Sequence, residues 1–425
     1  SSPYGHTVDE LALATQAQGD LAGARPYYER ALAIYEQALG ADHPDTATSL
    51  NNLAALLQAQ GDLAGAQPYY ERALAIREQL LGPNHPDTAR SLNNLGYLLR
   101  SQGDLVGAQQ YYERALTIYE HTLGAQHPDT ALSLNNLGAL LQAQGDLTGA
   151  RPYLERALAI SEKALGSDHP TTATSLSNLG QLVQAQGNLV EAQQYVERAI
   201  GIYQKILGID HAATARSFSN LGLLLYEQGD FPNARRYLEQ ALEVRERVLG
   251  ANHPDTAASL NNLALLLVEV GEYATARPLY ERSLAIVERV LGPEHPTTAT
   301  SLTNLGLLFQ KQGNLTEGQH YLERALGIHE RVFGTEHPTT VANRQQLDVL
   351  YRLQQRHAAK DRLTELVDQL AEALNDLPEP LEVDAEAANE MARQVRDYTT
   401  RENPNKTMVQ ISTSGLRLAI QKHCR

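Results

Sequence analysis

Apolar residues along the chain fall into two alternating helical patterns. After His43, the residues Leu50, Leu53, Ala54 and Leu57 recur at spacings of three and four, which places one apolar stripe on a helix. A second stripe, Leu63, Ala66, Tyr70, Ala73, Leu74 and Ile76, begins after Gly61-Asp62 and stops at Gly82. The spacing predicts a short helix A and a longer helix B of roughly 30 Å at about 1.5 Å per residue. Pro44 suits the first turn of helix A, and Asp45 and Thr46 offer oxygen acceptors to the unpaired amides there. Gly61 supplies the left-handed residue that ends helix A, and Asp62 caps helix B.

The pattern repeats. His43, His85, His127, His169, His211, His253, His295 and His337 open successive copies of it, each 42 residues after the last (85 − 43). Two antiparallel helices cannot bury their apolar faces alone, so a fixed period of this size implies stacked pairs. The expected fold is all-α, a right-handed superhelical solenoid with helix A on the inside. Residues 1–40 read as a partial first repeat and 41–334 as seven full ones. In 335–376 Gln355 takes the place of the turn glycine, and the segment from Pro338 to Leu374 reads as a degenerate capping helix pair. Residues 377–425 read as an acidic linker, a helix from about Val383 to Tyr398 and a basic tail. The tail carries a strand-like MVQIS and a helix from Gly415, and its role is unassigned. The start at Ser1, with no entry loop before Thr7, suggests a piece of a longer protein.

Composition narrows the chemistry. Lys plus Arg number 35 against 50 Asp plus Glu, a net charge of −15, which disfavours binding to phosphate backbones. The only cysteine is Cys424, so no intrachain disulfide forms and a reducing cytoplasm is the expected location. No apolar run reaches the length of a membrane span, and SSPYGHTVDE lacks the features of a signal peptide.

The order Leu50, Leu53, Ala54, Leu57, Ala66, Tyr70, Ala73 resembles the tetratricopeptide repeat (TPR). The 42-residue period with its HPD loop is similar to the variant found in kinesin light chains. The resemblance runs from Thr7 to about Leu374. It departs at Leu50, where the family usually has Trp, at Gly318 in the small-Ala position, and at Leu154, Val196, Leu238 and Leu322 in the aromatic one. It implies a concave groove that holds a peptide segment of a partner protein. The heptad segment that links such chains to a motor is missing, so motor transport does not carry over.

Four sets of residues invite a chemical reading. The histidines stand about one repeat apart, roughly 20 Å for two helices of about 10 Å, too far to share a metal held at about 2 Å. They read as loop structure, and no metal or cofactor is expected. Asn52, Asn94 and Asn136 begin a row filled in every full repeat, while Asn51, Asn93, Asn135 and Asn261 form a partial row that varies to Ser177, Ser219 and Thr303. An amide offers donor and acceptor together, so either row could hold a peptide backbone or set the repeat angle. The variable row is the better candidate for ligand contact. Arg90, Tyr97 and Arg100 replace Thr48, Ala55 and Gln58 and make a cationic, aromatic spot suited to an acidic or aromatic ligand. Arg216, Tyr226 and Glu227 suggest a second spot. The YYER motif reads as structural: Tyr70 is core, Tyr69 lines the seam between repeats, and Glu71 and Arg72 pair with neighbouring repeats.

No GxxxxGK, HExxH, GxSxG or cysteine cluster occurs, so no enzyme activity is expected. The leading expectation is a protein–protein interaction scaffold that binds a peptide, with no nucleic-acid or membrane partner and with self-association left open. The alternative is the sensor arm of a larger STAND-type signalling ATPase, which an upstream GxxxxGK[ST] would support.

Overall fold

The computed structural model describes residues 3–17 and 19–375, together with Arg393. Every regular element among them is a helix. A first pair, α1 (Pro3–Ala17) and α2 (Leu21–Leu39), precedes seven further pairs. Their first helices are α3 (Pro44–Ala59), α5 (Pro86–Gln102), α7 (Pro128–Ala143), α9 (Pro170–Ala185), α11 (Ala212–Glu227), α13 (Pro254–Glu269) and α15 (Pro296–Lys311). Their second helices are α4 (Leu63–Leu81), α6 (Leu105–Thr122), α8 (Leu147–Leu165), α10 (Leu189–Leu207), α12 (Phe231–Val248), α14 (Tyr273–Val290) and α16 (Leu315–Phe333). A final helix, α17, runs from Pro338 to Asn375. The chain divides into two compact bodies, residues 1–344 and 345–425.

Each helix packs most closely on its partner in the pair and next on the helix that follows it. First helices of successive repeats also touch one another, as α5 does α7, to a degree that second helices do not. The stack therefore curves with the first helices on its inner side, as the sequence implies. Leu50, Ala54, Ala66 and Ala73 have no exposed surface, so helix faces built from small residues meet large ones with little void. At Gly96 the approach is closest: a Cβ there would stand 2.8 Å from the Tyr112 ring.

The helix ends differ in one respect from expectation. His43, rather than Asp45 or Thr46, is the N-cap of α3, and its ring Nδ1 accepts from the Asp45 N–H at 3.1 Å. The other seven histidines cap their helices in the same way, at 3.0–3.2 Å. An aromatic nitrogen thus takes the role usually given to a Ser, Thr, Asp or Asn oxygen. Thr46 instead donates its hydroxyl to the Gly40 carbonyl at 2.9 Å, tying the end of α2 to the start of α3. Asp62 behaves as expected, with its carboxylate accepting from the Gly65 N–H at 2.8 Å.

The expected capping pair is not formed. Residues 338–375 make one uninterrupted helix of 38 residues. Without a glycine at Gln355 nothing supplies the left-handed turn, and HAAKDRLTEL contains only residues a helix accepts. The linker, helix and basic tail expected over 377–425 lie outside the described residues, Arg393 apart.

Candidate functional site

On the inner side of the third and fourth repeats, α5 and α7 border a cavity of about 320 Å³ lined by Asp87, Arg90, Asn93, Asn94, Tyr97, Tyr119, Asp129, Leu132 and Asn136, among others. Positions 90 and 97 are two turns apart on one helix face, which is why both reach it. Tyr97 is 50% exposed, an unusual state for so large a ring. The Arg100 guanidinium lies 5.2 Å from the centre of that ring, a cation–π distance. Arg90 is exposed and forms an ion pair with Asp87 at 2.9 Å.

Two features here were not legible in the repeat pattern. Arg77, on the second helix of the preceding repeat, is 3% exposed and donates to Ser91 Oγ at 2.6 Å and to Thr48 Oγ1 at 3.3 Å. No carboxylate pairs with it among the described residues. Burial, with the Arg90 charge nearby, pulls its pKa down to about 10. The signal was present in the sequence, since position 77 varies through Tyr119, Ser161, Tyr203 and Arg245 in later repeats. The second feature is Tyr112. In earlier repeats the equivalent hydroxyls of Tyr28 and Tyr70 donate to Gln16 and Gln58 at 2.9 and 3.3 Å. Arg100 stands where those glutamines do and cannot accept, so the buried Tyr112 hydroxyl has no hydrogen-bond partner among the described residues. Burial pushes that phenol, and that of Tyr119, up to about 12.

The partial asparagine row is largely turned into the stack, although Asn93 still lines the cavity. Asn51, Asn93 and Asn135, expected at the ligand, are 7%, 6% and 4% exposed. Asn93 donates forward to Ser133 Oγ at 2.9 Å and Asn135 to Ser175 Oγ at 3.0 Å, while Asn51 donates to the Ala47 carbonyl at 3.0 Å. One residue along a helix is a rotation of about 100°, enough to turn this row into the stack. Asn52, Asn94 and Asn136, the invariant row, are half-buried. Asn94 donates to Asn51 Oδ1 at 3.2 Å and Asn136 to Asn93 Oδ1 at 3.4 Å, so amides bridge successive first helices while the second row keeps an edge on the groove. Asn52 does not line the cavity.

Arg216 and Tyr226 are not brought together. They stand ten residues apart on α11, about 15 Å along its axis, and Tyr226 packs instead toward Phe231, with ring centres 6.0 Å apart. Arg216 has a counterpart to the first spot in buried Arg245, whose Nη1 donates to Ser259 Oγ at 2.8 Å. No group of three or more potential metal ligands occurs among the described residues.

Models of the tetratricopeptide repeat match residues 6–79, 47–121, 87–163, 129–205, 182–247, 214–286 and 255–317, and a further one matches 298–339. The chain belongs to the tetratricopeptide repeat family. No curated protein matches it. Among solved TPR structures it is similar to a Podosopora anserina putative kinesin light chain with nearly identical TPR-like repeats. The identity is 29% over 48% of this chain and 97% of that one, with a TM-score of 0.42. BtubC (BKLC) from P. vanneervenii is 22% identical over 55% of this chain and 92% of that one, with a TM-score of 0.43. The apo form of RapI is 14% identical over 67% of this chain and 98% of that one, with a TM-score of 0.50, a likeness of fold. A TPR array of this kind is a protein–protein interaction scaffold. Among the described residues no TPR helix is long and apolar enough to cross a membrane.

Proposed function

We propose that the inner groove binds a peptide segment of a partner protein, and that the third repeat supplies the anchor. The observation that carries this reading is the cavity of about 320 Å³ in which an exposed tyrosine, an arginine and two half-buried asparagines converge. Its size is at the lower end for a binding pocket, enough for one or two side chains. Tyr97 favours a planar side chain, with the Arg100 guanidinium on its ring, and the free edges of Asn94 and Asn136 favour the amides of an extended backbone, while Arg90 shares the cavity with Asp87 and Asp129. An extended segment with an aromatic side chain fits these groups.

Partners captured from native extract identify the segment, and isothermal titration then measures it. Arg90→Glu with Arg100→Glu and Tyr97→Ala weakens binding by more than about tenfold, roughly 1.4 kcal/mol or more. Arg114→Glu with Arg156→Glu, on the second helices, leaves it within about twofold. Equal affinity for the two variants removes the groove assignment.

A further inference from the structure

The body formed by residues 1–344 returns upon itself. The ring of His295 lies against Gly61 so closely that a Cβ on that glycine would stand 2.7 Å from Cδ2. The same contact recurs between His253 and Gly19, at 2.9 Å, and between His337 and Gly103, at 2.6 Å. Each pair is 234 residues apart (295 − 61), about five and a half repeats, so that length is one turn of the superhelix. His295 Nε2 also donates to the Ala59 carbonyl at 3.2 Å, which the ring can do because Nδ1 is already accepting as a cap. Leu291 and Phe333 pack against the apolar core of the first three repeats. By contrast the equivalent turns at Gly145, Gly187, Gly229, Gly271 and Gly313 have nothing within 4 Å of a built Cβ.

The contacts fall beside the groove. A cavity of about 550 Å³ lies at the seam, bounded by Ala55, Tyr97 and Ser101 of one turn and by His295, Pro296 and Phe333 of the next. Tyr97 thus borders both this cavity and the candidate site. With first helices on the inner side and successive turns touching at three points, the turns border this stretch of the groove from the side.

We propose that the three histidine–glycine contacts are a latch that shuts the inner groove from the side, and that a partner segment enters when the latch opens. The latch concerns access and stands whatever ligand the groove takes. Each contact is small: one imidazole edge on a glycine, joined at Gly19 and Gly61 by the ring of the next proline, with a single hydrogen bond at the middle pair and the side chains of Leu291 and Phe333 beside them. Surfaces of this kind open locally at a free energy well below that of global unfolding. The same histidines cap α13, α15 and α17, so their loops are stiff while the seam between turns is weak.

The test uses the full chain with Cys424→Ser. Spin labels at Ala22→Cys and Ala251→Cys, exposed positions that line one cavity across the seam, report the distance between turns. The latch gives a short, narrow distribution. His253→Ala with His295→Ala and His337→Ala broadens it to longer distances. In the same background, Ala55→Cys then reacts about tenfold faster with a maleimide on a long polyethylene glycol chain, with little change toward N-ethylmaleimide. His295→Ala alone gives a smaller change in the same direction and serves if the triple variant does not fold. His43→Ala with His85→Ala and His127→Ala removes as many caps away from the seam and leaves both readings as they were. A broad distribution in the parent chain, or equal opening by the two triple variants, overturns the latch.

Discussion

A single imidazole does two jobs at the start of α3 and of the seven helices equivalent to it: it fills a loop and accepts the first free amide through Nδ1. That second job needs the nitrogen unprotonated. Burial holds the pKa values of three of these caps, His253, His295 and His337, below their ordinary 6.5. The folded state therefore prefers the neutral ring, whereas the unfolded chain takes up protons near that value. The stabilisation is complete above about pH 6.5 and is lost as pH falls through the folded-state values. The melting temperature should be level from about pH 8 to 7 and drop below about 6.5, as calorimetry across that range will show. A rise on acidification would refute the capping account. At the same scale, Asn94→Ala removes a donor to Asn51 and should cost about 1 kcal/mol, read as a fall in melting temperature.

At the level of elements, the joint between α10 and α11 stands out. Along the second helices an arginine pairs with the glutamate of the preceding repeat: Arg72 with Glu36 at 2.6 Å, Arg156 with Glu120 at 2.7 Å, Arg198 with Glu162 at 2.5 Å and Arg282 with Glu246 at 2.6 Å. At this joint the two positions are Gln204 and Gln240, both neutral, and Ala212 replaces the proline of the entering loop. Half-exposed pairs of this kind contribute about 0–1 kcal/mol, so the change in strength is modest. Gln204→Glu combined with Gln240→Arg should raise the melting temperature by about 1–2 °C, and each alone by less; a double-mutant cycle with no coupling would refute the pairing.

For the whole molecule, what the sequence made legible was whatever repeats. The 42-residue period located the helices and the Gly-Asp turns, because each depends on neighbours at fixed offsets, but of the YYER pair only Arg72 reaches the neighbouring repeat, while Glu71 accepts from Gln67 one turn earlier on its own helix. The candidate site was legible in part. Arg90 and Tyr97 stood out by departing from the pattern and do share a cavity, whereas the partial asparagine row is mostly buried in the stack and reaches the cavity only at Asn93, since one position of helical phase separates the stack from the groove. Arg77 and the unpaired Tyr112 hydroxyl are products of packing between repeats. The final helix pair failed because one missing glycine outweighs a length that suits two helices. The contacts across 234 residues follow only from the accumulated rotation of many small steps, which no local window contains.

Those contacts bear on how an array of this kind grows. Duplication inserts 42 residues at a time, and in an open stack each added repeat gains one neighbour and stabilises the whole by a constant increment. Past the length of one turn, a new repeat also meets an older one from the side. Growth then yields diminishing freedom as well as added stability: the early repeats become fixed by late arrivals, and loss of an internal repeat would shift the partner of every loop beyond it. Gly19, Gly61 and Gly103, which end their helices as any turn glycine could, thereby become places where a side chain would be refused by a residue more than two hundred positions away.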